Sequence, residues 1–516
     1  MPVRHFLNNW NANYLTSTPN TPYEAIVIGS GFSGLSAACH LARSGVQVSV
    51  FETHDRPGGR ARSFSEQGYT WDMGPSWYWM PDVFEHFFAN FGKKPSDYYT
   101  LKRLDPSYQV VWQDEMVSIP AGMPELEALF ERYEAGAALK LRAFLKESGT
   151  KYQQAMQELV YQPGISIREF LRMDVMKSLL KMDLLQSVAR HARRYFRHPK
   201  LLQLVEFPIL FLGALPSNTP AMYTLMNYAD MVLGTWYPMG GMVRVVEAMV
   251  SLASSLGVNF HYSSPVDGFE INKQQVAAVF SRGQRVGADL VIAACDYHYA
   301  ESLLPPAFRN YSNTYWTERK MAPSSLIYYL GIHKKLDGLQ HHNLFFDAPF
   351  EQHAAELYAE VAWPSDPLMY ICAPSKTDPE VAPAGCENLF ILIPVAPGLV
   401  DTEDIREYYL DVAIKRLESR LGIDIRSHIA FSRSYAGSDF IRDYHAFKGN
   451  AYGLANTLRQ TAILKPSIRN KRLSNLFYAG QLTVPGPGVP PAIISGEIVA
   501  AHALKTINTH SKTLGS

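Results

Sequence analysis

Apolar residues follow two periodicities along this chain, and the places where one gives way to the other mark out its elements. EAIVIG, residues 24–29, is a short apolar run closed by glycine. Behind it, SGLSAACHLARSG carries Leu35, Ala38, Leu41 and Ala42 at helical spacing and stops at Gly45, a good C-cap. QVSVF then alternates as a strand and ends at Glu52. Strand, helix and strand in that order form the βαβ unit that right-handed crossovers build into a parallel sheet. Residues 123–204 read as largely helical, with Leu, Met and Ala at three-to-four spacing. After a turn at Gly240–Gly241, the pattern predicts an amphipathic helix to about Ser255, a strand through Tyr262 and another from Val266. RVGADLVIAACD predicts a buried strand ending at Cys295–Asp296. Farther on come strands at SSLIYYLGI and LFILIPV and a helix from Glu403 to Leu421. Last are an apolar strand ending at Gly480, a loop crowded with Pro and Gly, and a helix from about Val489. No repeat period is apparent.

At 516 residues the chain exceeds a single compact core. Its 47% apolar and 19% charged content is that of a folded globular protein. Forty-eight basic residues balance forty-eight acidic ones, so no global field recruits nucleic acid, and no nucleic-acid partner is expected. Cys39, Cys295, Cys372 and Cys386 lie far apart, without a CxxC pair or a His cluster at ligand spacing. A reducing cytoplasm, no disulfides and no metal are the expectation. Residues 1–22 are polar, lack the apolar core of a signal peptide and predict a flexible arm. The longest uncharged stretch, residues 207–229, is broken by Pro208, Pro216, Asn218 and Pro220, so it does not read as a membrane span. Residues 166–200, by contrast, carry nine Lys or Arg against three acidic residues, with Arg190, Arg193, Arg194 and Arg197 on about two turns beside FPILFLGAL. That composition suits either a solvated helix face or a helix lying on anionic lipid.

The chemistry concentrates at three places. Gly29, Gly31 and Gly34, with Phe32 and Ser33 between them, write GSGFSG at the first strand-to-helix turn. The first glycine permits the bend, the second lets backbone approach a pyrophosphate, and the third lets the helix pack on the strand. The helix N-terminus offers unpaired N–H groups to phosphates. Glu52, at the end of the second strand, is placed to accept from ribose hydroxyls. This is a dinucleotide fingerprint, common to NAD and FAD. HDRPGGRARSF follows, with Gly58, Gly59, Arg60 and Arg62. Glycines allow close backbone approach there, and a guanidinium fork suits a phosphate. Residues 68–88 are rich in aromatic side chains, including Trp71, Trp77, Tyr78 and Trp79, and contain DMGPS with Gly74, Pro75 and Ser76.

The Gly-Gly-Arg stretch, DMGPS, and the C-terminal AGQLTVPGPGVPPAIISGEIVAAHAL together resemble the bacterial phytoene desaturase family within the FAD-dependent amine oxidase superfamily. The resemblance runs over residues 23–504. It implies FAD as cofactor, a linear forty-carbon polyene as substrate, and the introduction of double bonds that extend conjugation. The implied fold is α/β: a Rossmann-like FAD-binding domain made of residues 23–80, 235–300 and 466–507, with a discontinuous mixed α+β substrate domain from residues 81–234 and 301–465. A helical, membrane-associating region lies near 165–230 in this reading, placing the protein peripherally on the inner face of the membrane with a quinone or oxygen as electron acceptor. The cofactor contacts implied are Gly29, Gly31, Phe32, Ser33, Gly34, Glu52, Gly59, Arg60, Arg62, Gly74, Pro75, Ser76, Val266, Gly480, Gln481, Gly488 and Val489. Gln481 departs from the threonine or serine of many relatives. Asp296, His298, Asp439 and Glu497 lie near the resembling segments, and none is singled out as a catalytic base. An isomerase, a saturase or an amine oxidase on the same scaffold stays open, as does a non-catalytic lipid-binding protein of the GDP-dissociation-inhibitor type. The oligomeric state stays open as well.

Overall fold

A computed structural model describes residues 23–166, 186–212, 215–457 and 460–514. The expected arm, residues 1–22, and residues 167–185 of the basic stretch lie outside the described residues.

The strands Glu24–Ile28 and Gln47–Phe51 pair in parallel, as the βαβ reading requires. Three strands distant in sequence extend them into a five-stranded parallel sheet. Its order is Leu476–Tyr478, Leu290–Ala293, Glu24–Ile28, Gln47–Phe51 and Asn259–His261. The central strand is buried because both faces are covered, which is why EAIVI is an apolar run rather than an alternating one. On one face lies the helix Phe32–Arg43, itself packed beneath the helices Val243–Ser255 and Val489–Leu514. The last of these approaches very closely. A Cβ on Gly496 would stand 2.3 Å from the Ser33 carbonyl oxygen, and the Ser36 hydroxyl donates to the Ile493 carbonyl at 2.7 Å.

A second, seven-stranded sheet runs in the order Ile429–Tyr435, Ser324–Ile332, Glu387–Val395, Met369–Cys372, His342–Phe345, Tyr108–Val111 and Met116–Ile119. Its pairs are antiparallel except where His342–Phe345 meets Tyr108–Val111. Leu326, Tyr328 and Leu330 bury one face against Ala413, Ile414 and Leu417 of the helix Glu403–Leu421. On the other face, Gly331 gives Tyr69 its room: a Cβ there would lie 2.8 Å from the ring. The aromatic residues of 68–88 are mostly core, and Trp71 donates its indole N–H to the Leu389 carbonyl at 3.1 Å.

The basic stretch departs from the two-turn helix expected of it. Arg190 lies in a five-residue helix, Val188–Ala192, and Arg193 is its C-cap. The next helix, Pro199–Glu206, begins at a proline, which has no N–H to continue the preceding one. No helix among the described residues is long and apolar enough to cross a membrane.

Candidate flavin and substrate site

The parallel strands end at a cleft that encloses about 1650 Å³ of empty space, mouth included. Open α/β sheets place their ligands at such carboxyl ends. Gly29 turns the chain there at φ +100°, with the Ala294 carbonyl against it; a Cβ would come within 3.2 Å of that oxygen. Gly31 is the N-cap of the helix Phe32–Arg43 and offers no side chain to the first N–H groups. They are left for a ligand. Gly34 faces away from the cleft, where a Cβ would lie 2.0 Å from the Gly29 carbonyl oxygen, so its role is the helix-on-strand packing assigned to it.

Glu52 is 5% exposed and lines the cleft. Its carboxylate accepts from the Ser30 N–H at 2.9 Å, the Ser30 hydroxyl at 2.6 Å and the His54 N–H at 2.9 Å. It therefore organises both turns as well as facing the cavity. Gly59 brings the second glycine loop against the first: a Cβ would meet the Gly31 Cα at 3.3 Å. Arg60 lies on the cavity wall with its guanidinium 5.2 Å from the centroid of the Tyr444 ring. One nitrogen reaches the Asn450 carbonyl at 3.4 Å, and its Nε is buried without a partner.

Gly74 packs against this loop, Pro75 and Val266 line the wall, and Gly480, Gln481, Gly488 and Val489 close the opposite end. Gln481 holds the Asn450 side-chain oxygen at 3.1 Å. Of the residues expected to contact cofactor, the cleft brings together all but Gly34, Arg62 and Ser76. Arg62 stands behind the wall, bonded to Tyr444 Oη at 3.1 Å and paired with Asp443 at 3.5 Å. Ser76 turns away and shares a 2.8 Å hydrogen bond with the Tyr370 hydroxyl.

Of the four polar residues noted beside the motifs, Asp296 alone lines the cleft. It caps the helix Tyr297–Ser302 by accepting from the Tyr299 N–H at 3.1 Å. Burial pushes its carboxyl up to about 6, against that hydrogen bond and the nearby charge of Arg60. His298 packs at a tilt against Phe447, and Asp439 is held by Arg406 and Arg442. Glu497 sits between His40 and His86 behind the helices. Several wall residues were not foreseen: Asp443 and Tyr444, and the stacked pair Tyr299 and His445, 3.9 Å between ring centres. Tyr452 was missed as well. Tyr452 stands in the glycine-flanked GNAYG, a signal that could have marked it, whereas nothing in the local pattern at Asp443, Tyr444, Tyr299 and His445 shows that they reach the cleft.

A second cavity adjoins the first, sharing Leu392 and Tyr452. Its floor is the seven-stranded sheet, through Leu344, Met369 and Tyr370, and its roof is the helix Phe350–Ala355 with Leu357 and Tyr358 beyond. The lining is almost wholly apolar. A space of this kind takes up hydrocarbon and offers water few partners.

Residues 32–504 match the family model described as "Flavin containing amine oxidoreductase". The chain belongs to the flavin-containing amine oxidoreductase family. Among curated relatives it is 40% identical to a carotenoid 3,4-desaturase of Haloarcula japonica, over 94% of this chain and 98% of that one. It is 31% identical to a zeta-carotene-forming phytoene desaturase of Myxococcus xanthus, over 92% of each. Among solved structures, an oxidoreductase from Methanosarcina mazei aligns at TM-score 0.59 and 16% identity, over 92% of this chain and 99% of that one. Putrescine oxidase bound to putrescine aligns at 0.58 and 15%, over 94% and 100%. These two likenesses show the fold. The protein is an FAD-dependent oxidoreductase with an α/β FAD-binding fold. Its cleft suits that cofactor on its own evidence. Arg60 Nε is buried without a partner on the cavity wall, and the space above Gly31 is open, since a Cβ there would meet nothing within 4 Å.

Proposed function

We propose that this flavoenzyme desaturates a linear C40 carotene in carotenoid biosynthesis, carrying phytoene or a later carotene toward a longer polyene. The observation that carries this reading is the apolar cavity opening beside the dinucleotide cleft at Leu392 and Tyr452. The names of the relatives support it.

When bound, the flavin supplies the acceptor for a hydride from an allylic carbon, and the protein's task is to place that carbon and exclude water. The N–H groups of Phe32 and Ser33, together with Arg60, hold the pyrophosphate. Glu52 holds a ribose while keeping Ser30 and His54 in place. Gly480, Gln481, Gly488 and Val489 border the end nearest the second cavity. There Phe350, Ala354, Leu357 and Met369 grip the chain by dispersion and give it no hydrogen bond. Each new double bond removes two electrons and two protons, and a quinone or oxygen takes the electrons.

The 40% likeness to a 3,4-desaturase favours a second substrate reading, in which the carotene arrives already conjugated. Expression in cells that accumulate phytoene, and separately in cells that accumulate lycopene, followed by pigment identification, tests both. New polyenes of longer conjugation in either host support desaturation. Unchanged pigment in both, with flavin bound, refutes it.

A C40 hydrocarbon resides in the bilayer, so the protein works peripherally, at the cytoplasmic membrane face. Arg190, Arg193, Arg194 and Arg197 are exposed, and among the described residues Arg193 pairs with Glu206 at 2.6 Å. Binding to anionic liposomes that weakens with salt is expected. Equal recovery in the supernatant with and without liposomes at low salt counts against it.

A further inference from the structure

We propose that His341, His342 and Cys372 form a buried zinc site, independent of the flavin chemistry. Sequence spacing conceals it, because Cys372 lies thirty positions beyond His342. Antiparallel pairing of His342–Phe345 with Met369–Cys372 sets His342 directly opposite Cys372. One nitrogen of each imidazole and the Cys372 Sγ all lie within 4.8 Å of one another, and all three residues are buried.

The surroundings are those of a ligand set. His341 Nδ1 is bonded to the Thr377 hydroxyl at 2.8 Å and His342 Nδ1 to the Tyr370 hydroxyl at 2.7 Å. Such outer partners fix ring orientation in metal sites. The Nε2 atoms of both rings are buried with no partner. Orphaned nitrogens on two neighbouring buried rings are costly unless something binds them. His342 is also clamped face to face on Trp77, 4.1 Å between ring centres.

Two imidazoles and a thiolate are borderline-soft donors that suit zinc. Uptake exchanges the Cys372 S–H bond for a zinc–sulfur bond and releases one proton to solvent, with no change of oxidation state. Tyr370 bridges His342 and Ser76 and lines the apolar cavity, so the ion braces that cavity's wall rather than touching substrate.

The test is metal analysis of the flavin-loaded protein expressed with added zinc, together with cobalt(II) titration of chelator-treated protein. Zinc stoichiometric with the chain, and a sulfur-to-cobalt charge-transfer band, are expected in the wild type. Cys372→Ser should abolish the band and weaken zinc retention at least tenfold while flavin content stays unchanged. Absence of zinc and of the band in the wild type overturns the proposal without reliance on any variant. A Cys372→Ser protein that keeps both does so too.

Discussion

Two glycines three residues apart in one turn should fail in opposite ways. Gly34→Ala sets a methyl 2.0 Å from the Gly29 carbonyl oxygen and 3.2 Å from the Ala294 Cβ, with backbone on the near side. Ordinary contact begins near 3.4 Å, so the helix Phe32–Arg43 must retreat from its strand by more than an ångström. Overpacking of this kind costs about 1–3 kcal/mol, and an unyielding backbone puts it at the upper end. Gly31→Ala meets no protein atom within 4 Å and sits at φ −71°, which alanine adopts freely. The flavin-free fold should change by less than about 1 kcal/mol, because the gain from a stiffer unfolded chain is offset by alanine's poorer N-cap. The same methyl projects where the pyrophosphate must approach. Losing one charge-assisted hydrogen bond there costs about 1.5–3 kcal/mol, roughly a 10- to 150-fold rise in Kd. Denaturant unfolding of the flavin-free proteins and FAD titration by fluorescence quenching read the two effects separately. Gly31→Ala binding FAD at wild-type affinity would refute the assignment of that space to the cofactor. Gly34→Ala as stable as wild type would refute the packing argument.

Asp296→Asn should remove a pH dependence. The folded-state pKa of Asp296 is raised from its ordinary 3.8 to about 6, so its favourable contribution is full below pH 4 and lost as pH rises through 6. The flavin-free variant should therefore gain on wild type by about 3 kcal/mol between pH 4 and pH 8, while the asparagine still caps the helix; a constant difference across that range contradicts this. Gly488→Val forces a β-branched residue to φ +114° with its Cβ 3.2 Å from Pro491 Cδ, and should lower flavin occupancy at least tenfold as measured by released FAD. Ala354→Phe fills the second cavity only, so flavin content should hold while carotene turnover falls at least tenfold; unchanged turnover moves the substrate elsewhere.

Local elements were legible because side-chain period and end signals act within a few residues. The helix Glu403–Leu421 has the bounds its pattern predicted, capped by Thr402 and closed by Gly422 at φ +67°. The turn from Gly29 to Gly34 and the strand into Glu52 were equally readable. Pairing across long separations was not. Nothing in Tyr108–Val111 announces that it lies beside His342–Phe345, because alternation reveals a buried face but not the partner strand. The same reason hid Asp443 and Tyr444, which the helix Gly437–Tyr444 delivers to a cleft some four hundred residues away in sequence. It also explains Arg62, whose position beside Arg60 suggested phosphate although Tyr444 and Asp443 occupy it.

Oxidation of a polyene on this flavoprotein is directly observable, because the flavin and the pigment both absorb visible light. Flavin-loaded protein is mixed with phytoene or lycopene in liposomes without oxygen or another acceptor, and the visible spectrum and pigments are followed together. Oxidised-flavin absorbance should fall in step with the appearance of a more conjugated polyene, and recover with continued turnover once quinone or oxygen is admitted. A polyene changed only in geometry, or left unchanged with the flavin still oxidised, would contradict it.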